Sequence, residues 1–165
     1  MMRLLNLPDF APRLREGENG KKEIFDPIRR KFVKLTPEEQ VRQNFLDFMV
    51  TRLGFPASLI VVEAVLTYNQ LKKRFDILAY LPDRTPCVVV ECKAPSVELT
   101  QLVFDQVAMY NMTLQVEYII VTNGLSHYAC RIDHANRTYA FLKEIPTFEM
   151  VRQQTLDKLQ ITNDK

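Results

Sequence analysis

Three charged side chains interrupt two runs that otherwise read as buried β-strands. Asp76 lies within Arg74-Phe75-Asp76-Ile77-Leu78-Ala79-Tyr80, and Glu91 and Lys93 close Val88-Val89-Val90-Glu91-Cys92-Lys93. Ionised groups are almost never left unpaired among apolar neighbours, so an acid and a lysine two residues apart need a reason. Alternation along a strand sends Glu91 and Lys93 to one face and Val90 and Cys92 to the other. Asp76, on the neighbouring strand, can reach the same edge. Two carboxylates at one point repel, and a divalent cation relieves them. Carboxylate oxygens with water are what Mg²⁺ prefers, and the carbonyl of Cys92 can add a further oxygen. An ion there would bind a scissile phosphate, stabilise its pentacovalent charge and acidify a water. Lys93 would hold or help deprotonate that water and offset charge developing on phosphate. The spacing leaves one metal or two open. It also leaves open a plain salt bridge of Lys93 with Glu91 or Asp76 at a sheet edge.

The elements that must carry these groups are legible on either side. Thr36-Pro37-Glu38-Glu39 opens a helix: Thr36 as N-cap, Pro37 in the first helical position, Glu39 completing a capping box. Val41, Phe45, Phe48, Met49 and Leu53 follow at helical spacing, and Gly54 and Pro56 end it. Strands are expected over 59–66, 74–81 and 87–93, with connections short enough for hairpins, so antiparallel pairing is the default. Ala94-Pro95-Ser96 breaks the third strand. A helix is expected over 97–114, with Leu99, Leu102, Val103, Gln106 and Tyr110 near one face. A strand over 118–122 ends at the Asn123-Gly124 turn. Strands over 128–132 and 138–142 and a terminal helix after Pro146 complete the chain. Upstream, 23–35 reads as a short hairpin about Asp26-Pro27. The expected organisation is a basic, loosely attached arm over 1–22, a core over 23–146, and a helix and tail over 147–165. The order is that of an α/β sandwich around a mixed sheet.

Composition sets outer limits. The chain has 165 residues, 47% hydrophobic and 25% charged, with a net charge of +2, values that suit one soluble globular domain with a full core. No apolar run approaches a membrane span, and Met2 to Pro8 is too short and too soon broken for a signal peptide. Cys87, Cys92 and Cys130 lack metal-type spacing and fit buried free thiols in a reducing cytoplasm. Residues 3–34 hold nine Lys or Arg against five Asp or Glu, and Lys72-Lys73-Arg74 forms a second basic cluster. Both suit a phosphate backbone or a solvated surface. His127 and His134 have no acid or cysteine at metal spacing and read as surface or turn residues. No serine has a Gly-x-Ser-x-Gly setting.

An ordered set of motifs goes further: Leu35-Thr36-Pro37-Glu38-Glu39-Gln40-Val41-Arg42-Gln43, Arg74-Phe75-Asp76-Ile77, Glu91-Cys92-Lys93-Ala94-Pro95, Asp105 to Asn111, and Val121-Thr122-Asn123-Gly124. Over roughly residues 30–125 the chain resembles the PD-(D/E)XK nuclease superfamily, and more closely the N-terminal nuclease region of type I restriction enzyme R subunits. The resemblance implies a restriction-endonuclease-like αβββαβ core, with a mixed sheet flanked by helices. It implies that Asp76, Glu91 and Lys93 bind metal and activate water, with Mg²⁺ (Mn²⁺ as an alternative) as cofactor and the Cys92 carbonyl among the ligands. It implies that Gln106 and Tyr110 form the Gln-xxx-Tyr motif, contacting DNA or bracing the catalytic strand, unless they simply pack. Glu39 stands where many relatives place a helix-borne acid that reaches the metal, a role that competes with its capping box; Glu63 is a less favoured acid. The implied function is a cytoplasmic, Mg²⁺-dependent DNA endonuclease domain with helicase or specificity subunits as partners. A non-catalytic module that docks DNA or a subunit is the alternative, and a purely structural assembly domain a third. No Gly-xxxx-Gly-Lys-[Ser/Thr] phosphate loop occurs in the sequence, so the expectation is either a stand-alone nuclease-like domain or motor and specificity functions on other chains. Recognition sequence, strand preference and oligomeric state are not encoded in these motifs.

Overall fold

The computed structural model describes residues 2–163 except 69, 113 and 114, and the side chains of 68, 71, 110, 112 and 159–163 lie outside the described set. Its centre is a six-stranded mixed sheet. The strands are β4 (Ile60–Tyr68), β5 (Leu71–Tyr80), β6 (Pro86–Cys92), β7 (Tyr118–Thr122), β8 (His127–Asp133) and β9 (Thr138–Phe141), in sequential order. In the numbering used here, β1 (Leu14–Glu16), β2 (Lys22–Asp26) and β3 (Lys31–Lys34) form a separate three-stranded antiparallel sheet. The β4–β5–β6 meander is antiparallel, as its short connections require. β6 and β7 are parallel, and helix α2 (Gln101–Met112) makes the crossover between them. Helix α1 (Pro37–Thr51) precedes the meander and helix α3 (Phe148–Asn163) follows the sheet. The core order is therefore αβββαβ, the expected α/β class.

Helix α1 starts where its sequence says it should. Thr36 is extended, its hydroxyl oxygen accepts from the Glu39 amide at 3.0 Å, and Pro37 occupies the first turn. Val41, Phe45 and Met49 are fully buried. They pack with Val62, Ile77, Val88, Val90, Cys92 and Ile120 on one face of the sheet, and Val151 of α3 joins them. The opposite face carries Phe104 and Ala108 of α2 against Ile119, Val121, Cys130 and Ile132. With helices on both sides, β6 and β7 are buried on both faces, which explains their unbroken apolar runs. Helix α2 begins at Gln101, later than its apolar pattern predicts, and Thr100 caps it through a 3.4 Å contact from the Val103 amide. Leu102, grouped by its spacing with Leu99 and Val103 near one face, is 67% exposed. Apolar residues run almost all round this helix, so spacing alone cannot choose its inner face.

The segment expected as a loose arm is tied down in its described part. Gln40 of α1 accepts from the Arg3 amide at 3.1 Å and donates to the Arg3 carbonyl at 2.5 Å. Leu5 enters the main core, and residues 14–16 pair with β2. The physical cause is the buried leucine together with satisfied backbone groups. Gly124 makes the approach possible. Its φ is +80°, and a Cβ there would lie 2.9 Å from Leu5 Cδ2 and 3.0 Å from Val41 Cγ2, which explains glycine in the Asn123-Gly124 turn.

His127 fastens the same junction. Its Nε2–H donates to the Asn6 carbonyl at 2.7 Å, and its Nδ1 accepts from the Thr122 hydroxyl at 2.7 Å. That hydroxyl oxygen in turn accepts from the Gly124 amide at 3.0 Å. A carbonyl oxygen can only accept, so Nε2 carries a proton. Burial holds the ring's pKa below the ordinary histidine value, against the pull of the Asn6 carbonyl. A depressed histidine contributes stability that is complete above the unfolded value, about 6.5, and is lost as pH falls through the folded one. Urea unfolding should therefore show stability declining as pH drops from 7 to 5. His127→Gln, which keeps a donor and an acceptor but no titration, should flatten that decline.

Candidate active site

Strict alternation fails midway along β4 and β5. Val62 and Ile77 are paired and belong to the α1 side. Ala64 and Phe75, the next pair of the same parity, belong to the α2 side with Leu78 and Val89. Between them Glu63 has φ +54°, a left-handed conformation that costs a β-strand residue energy and marks a constraint. The face switch falls on Glu63 and Asp76. The pairing of β5 with β6 also ends here, at Ile77–Val90. Beyond it, the Cys92 amide donates to Asp76 Oδ2 at 2.8 Å. Asp76 thus sits where two strands part, its carboxylate answering the backbone of the strand it leaves.

Glu91 and Lys93 follow alternation as expected. Lys93 Nζ donates to Glu91 Oε1 at 2.9 Å, and both side chains are partly exposed. With Arg74, Phe75, Gln106 and Asn111 they line a cleft of about 240 Å³. Burial and the nearby Asp76 charge push the Glu91 carboxyl above the usual range, against the pull of Lys93. Burial lowers Lys93, but the hydrogen bond and charge of Glu91, aided by Asp76, outweigh it and hold the ammonium above its ordinary value. The structure therefore brings Asp76, Glu91 and Lys93 into one electrostatic unit. Gln106 is exposed and lines the cleft. Tyr110 lies on α2 one turn further on, and its side chain is outside the described residues. Cys92 is buried in the α1-side core, so only its backbone is open to the site.

The residues that sequence reasoning missed are arginines. Arg42 Nη2 donates to Asp76 Oδ1 at 2.7 Å, and its Nη1 donates to Glu39 Oε2. Burial depresses Arg42, but Asp76 and Glu39 more than offset this and hold it above its ordinary value. Glu39 Oε1 accepts from Arg29 Nη2 at 2.8 Å and from Gln43 Nε2 at 2.9 Å. The Glu39 carboxylate is thus turned to two guanidiniums rather than back over its own helix start. Arg29 also reaches Asp26 at 2.6 Å and Glu63 at 2.7 Å. Burial raises Glu63, but its bond to Arg74 and the charges of Arg29, Arg74 and Arg42 bring it below the usual range. The only local signal was that Arg42 stands three and four residues after Glu39 and Glu38, on a face whose apolar neighbours are buried.

Among the described residues no cluster of three or more His, Cys, Asp or Glu side chains is arranged to hold a metal ion. Two carboxylates are nonetheless a sufficient protein share for Mg²⁺, which keeps several waters and binds through one or two carboxylates plus phosphate oxygens. The mutual repulsion of Asp76 and Glu91 is the observation that fits such an ion. It also generates an expectation for the metal-free protein. Glu91→Gln removes the repelled carboxylate while leaving Lys93 an acceptor. At neutral pH in a chelator, it should raise the melting temperature by a few degrees, about 1 kcal/mol. Differential scanning calorimetry checks this.

No curated protein matches the chain. A solved fragment assigned to the HsdR subunit of a type I restriction enzyme from Vibrio vulnificus is 20% identical. It aligns over 69% of this chain and 25% of that one, with a TM-score of 0.46; the chain thus spans about a quarter of its length. The family model for the type I restriction enzyme R protein N terminus matches residues 37–146, from the first turn of α1 to the proline before α3. With two-thirds of its length accounted for in this way, the chain belongs to the type I restriction enzyme R protein N-terminal family.

Proposed function

We propose that the chain is a Mg²⁺-dependent DNA endonuclease domain of the PD-(D/E)XK kind, in which Asp76, Glu91 and the Cys92 carbonyl hold the ion. What supports this reading above all is the parting of β5 and β6, which leaves Glu91 and Lys93 lining a cleft and the Asp76 carboxylate near enough to raise Glu91. When bound, Mg²⁺ supplies charge that neutralises phosphate and lowers the pKa of water. The chain's own groups do the rest. Glu91 fixes the Lys93 ammonium through the 2.9 Å hydrogen bond. Lys93, charged and half-open to solvent, orients the attacking water and offsets charge growing on the phosphate. Arg74 and Gln106, which line the cleft, meet the DNA backbone in this reading. Tyr110 is assigned to the same helix-borne contact. DNA is the substrate, and motor and specificity functions belong to partner subunits in the cytoplasm. No described helix is long and apolar enough to cross a membrane.

One observation favours the alternative of a non-catalytic nuclease-like module: Arg42 already neutralises Asp76. Supercoiled plasmid with Mg²⁺ or Mn²⁺ separates the two, with and without candidate motor subunits. Nicking or cleavage is expected, with Asp76→Ala and Lys93→Ala each lowering the rate at least about 100-fold. Cleavage unchanged in both variants would overturn the assigned site. Salt-sensitive DNA binding with no metal-dependent cleavage under any condition would instead select the docking module.

A further inference from the structure

Arg29, on the turn between β2 and β3, lies outside the stretch that matches the family, yet it is woven into the site. Its guanidinium is 14% exposed and meets three carboxylates: Asp26 at 2.6 Å, Glu63 at 2.7 Å and Glu39 at 2.8 Å. Asp26 is fully buried and anchored, accepting from the Ile28 and Arg29 amides and from Gln43 Nε2, each at 2.8 Å. Glu39 passes from Arg29 to Arg42, and Arg42 ends on Asp76. The chain of contacts therefore runs Asp26–Arg29–Glu39–Arg42–Asp76. One end is fixed to the backbone of a tight turn, and the other is the carboxylate held at the Cys92 amide where β5 and β6 part.

We propose that Arg29 and Arg42 are positioning residues, and that the small N-terminal sheet is part of the catalytic unit because its turn holds Asp76 through this relay. The role assigned to Asp76 rests on the function proposed above; the relay itself rests on the ion pairs. The Asp76 carboxylate is gripped on two sides, by Arg42 and by the Cys92 amide. With Arg42 misplaced, only the amide remains and the carboxylate is free to turn. Guanidinium is needed at both positions. Its planar fork meets several acids at once, whereas an ammonium is a single point charge. Each member lost leaves a buried partner uncompensated, so the relay acts as a unit.

Positioning and simple charge balance predict opposite results. Deleting a positive charge near two carboxylates should by itself tighten cation binding. A relay predicts weaker binding, because the ligand is misplaced. Mn²⁺ titration of the full chain by calorimetry should show Arg42→Lys weakening affinity about 10-fold, as for other partners of metal ligands. Arg29→Lys and Arg29→Met should each weaken it by threefold or more. Affinity unchanged in Arg29→Lys, or tightened in Arg29→Met, would overturn the relay while leaving the proposed function intact. Absence of Mn²⁺ binding by the wild-type chain would overturn the metal site, and a second measurement then decides the relay. Arg29 and Asp76 share no hydrogen bond or ion pair, so Arg29→Lys and Asp76→Asn should affect the unfolding constant independently, within about twofold, if no relay exists. A departure of threefold or more in the double variant supports it; additivity overturns it.

Discussion

An acid that cannot be buried alone, next to a strand that must be, sets the terms for this molecule. Asp76 lies in a sheet covered by helices on both faces, and its charge must be met from within the protein. Arg42 meets it, at 6% exposure of its own side chain. That requires Glu39, which in turn holds Arg29, and Arg29 draws in Asp26 and Glu63. Such a network contributes little net stability compared with an apolar core of the same volume. Its consequence is specificity of arrangement. Helix α1, the β2–β3 turn and the β4–β5 hairpin can meet in one register only, because any other leaves a buried charge unpaired.

That constraint also explains the irregular backbone. A residue on a regular strand points to one face or the other. Asp76 has to face Arg42 on the α1 side, where its neighbour Ile77 already packs. The strands solve this by switching faces at Glu63, whose left-handed φ absorbs the change. The same switch separates β5 from β6 and leaves the Cys92 amide free to find the Asp76 carboxylate. The opening between the strands and the strain in β4 thus have one cause.

Much of this was legible in the sequence, and the boundary is physical. Local rules govern the start of α1, where Thr36 and Pro37 act on their own turn. They also govern β6, where alternation alone sends Glu91 and Lys93 to the same side. These features follow from contacts within a few residues, and the structure has them. The buried face of α2 was not legible, because Leu102, Val103, Phe104, Val107, Ala108 and Met109 ring the helix and only the sheet selects among them. Nor was the arginine relay. Arg42 and Asp76 are 34 residues apart, and Arg29 and Glu63 equally so. Nothing in their local spacing says that a turn at residue 29 and a strand at residue 63 will meet. Glu39 illustrates the limit. Its amide obeys the cap rule, while its carboxylate answers to a tertiary partner that the rule cannot see.

The arrangement puts the fixed countercharge of Asp76 and the solvent-open cleft on different sides of the sheet. Arg42 approaches Asp76 from the α1 side, within the main core, where water is excluded and the pair is strong. Glu91 and Lys93 stand on the α2 side, at a cleft open to solvent, where a charge can still change partners. Had the arginine come from the cleft side, it would have occupied the space a phosphate or a cation needs. Placing the fixed countercharge behind the sheet keeps Asp76 oriented and leaves its relation to Glu91 as the unsettled interaction at the cleft. A divalent ion or a protein partner can act on that remaining repulsion without disturbing the core.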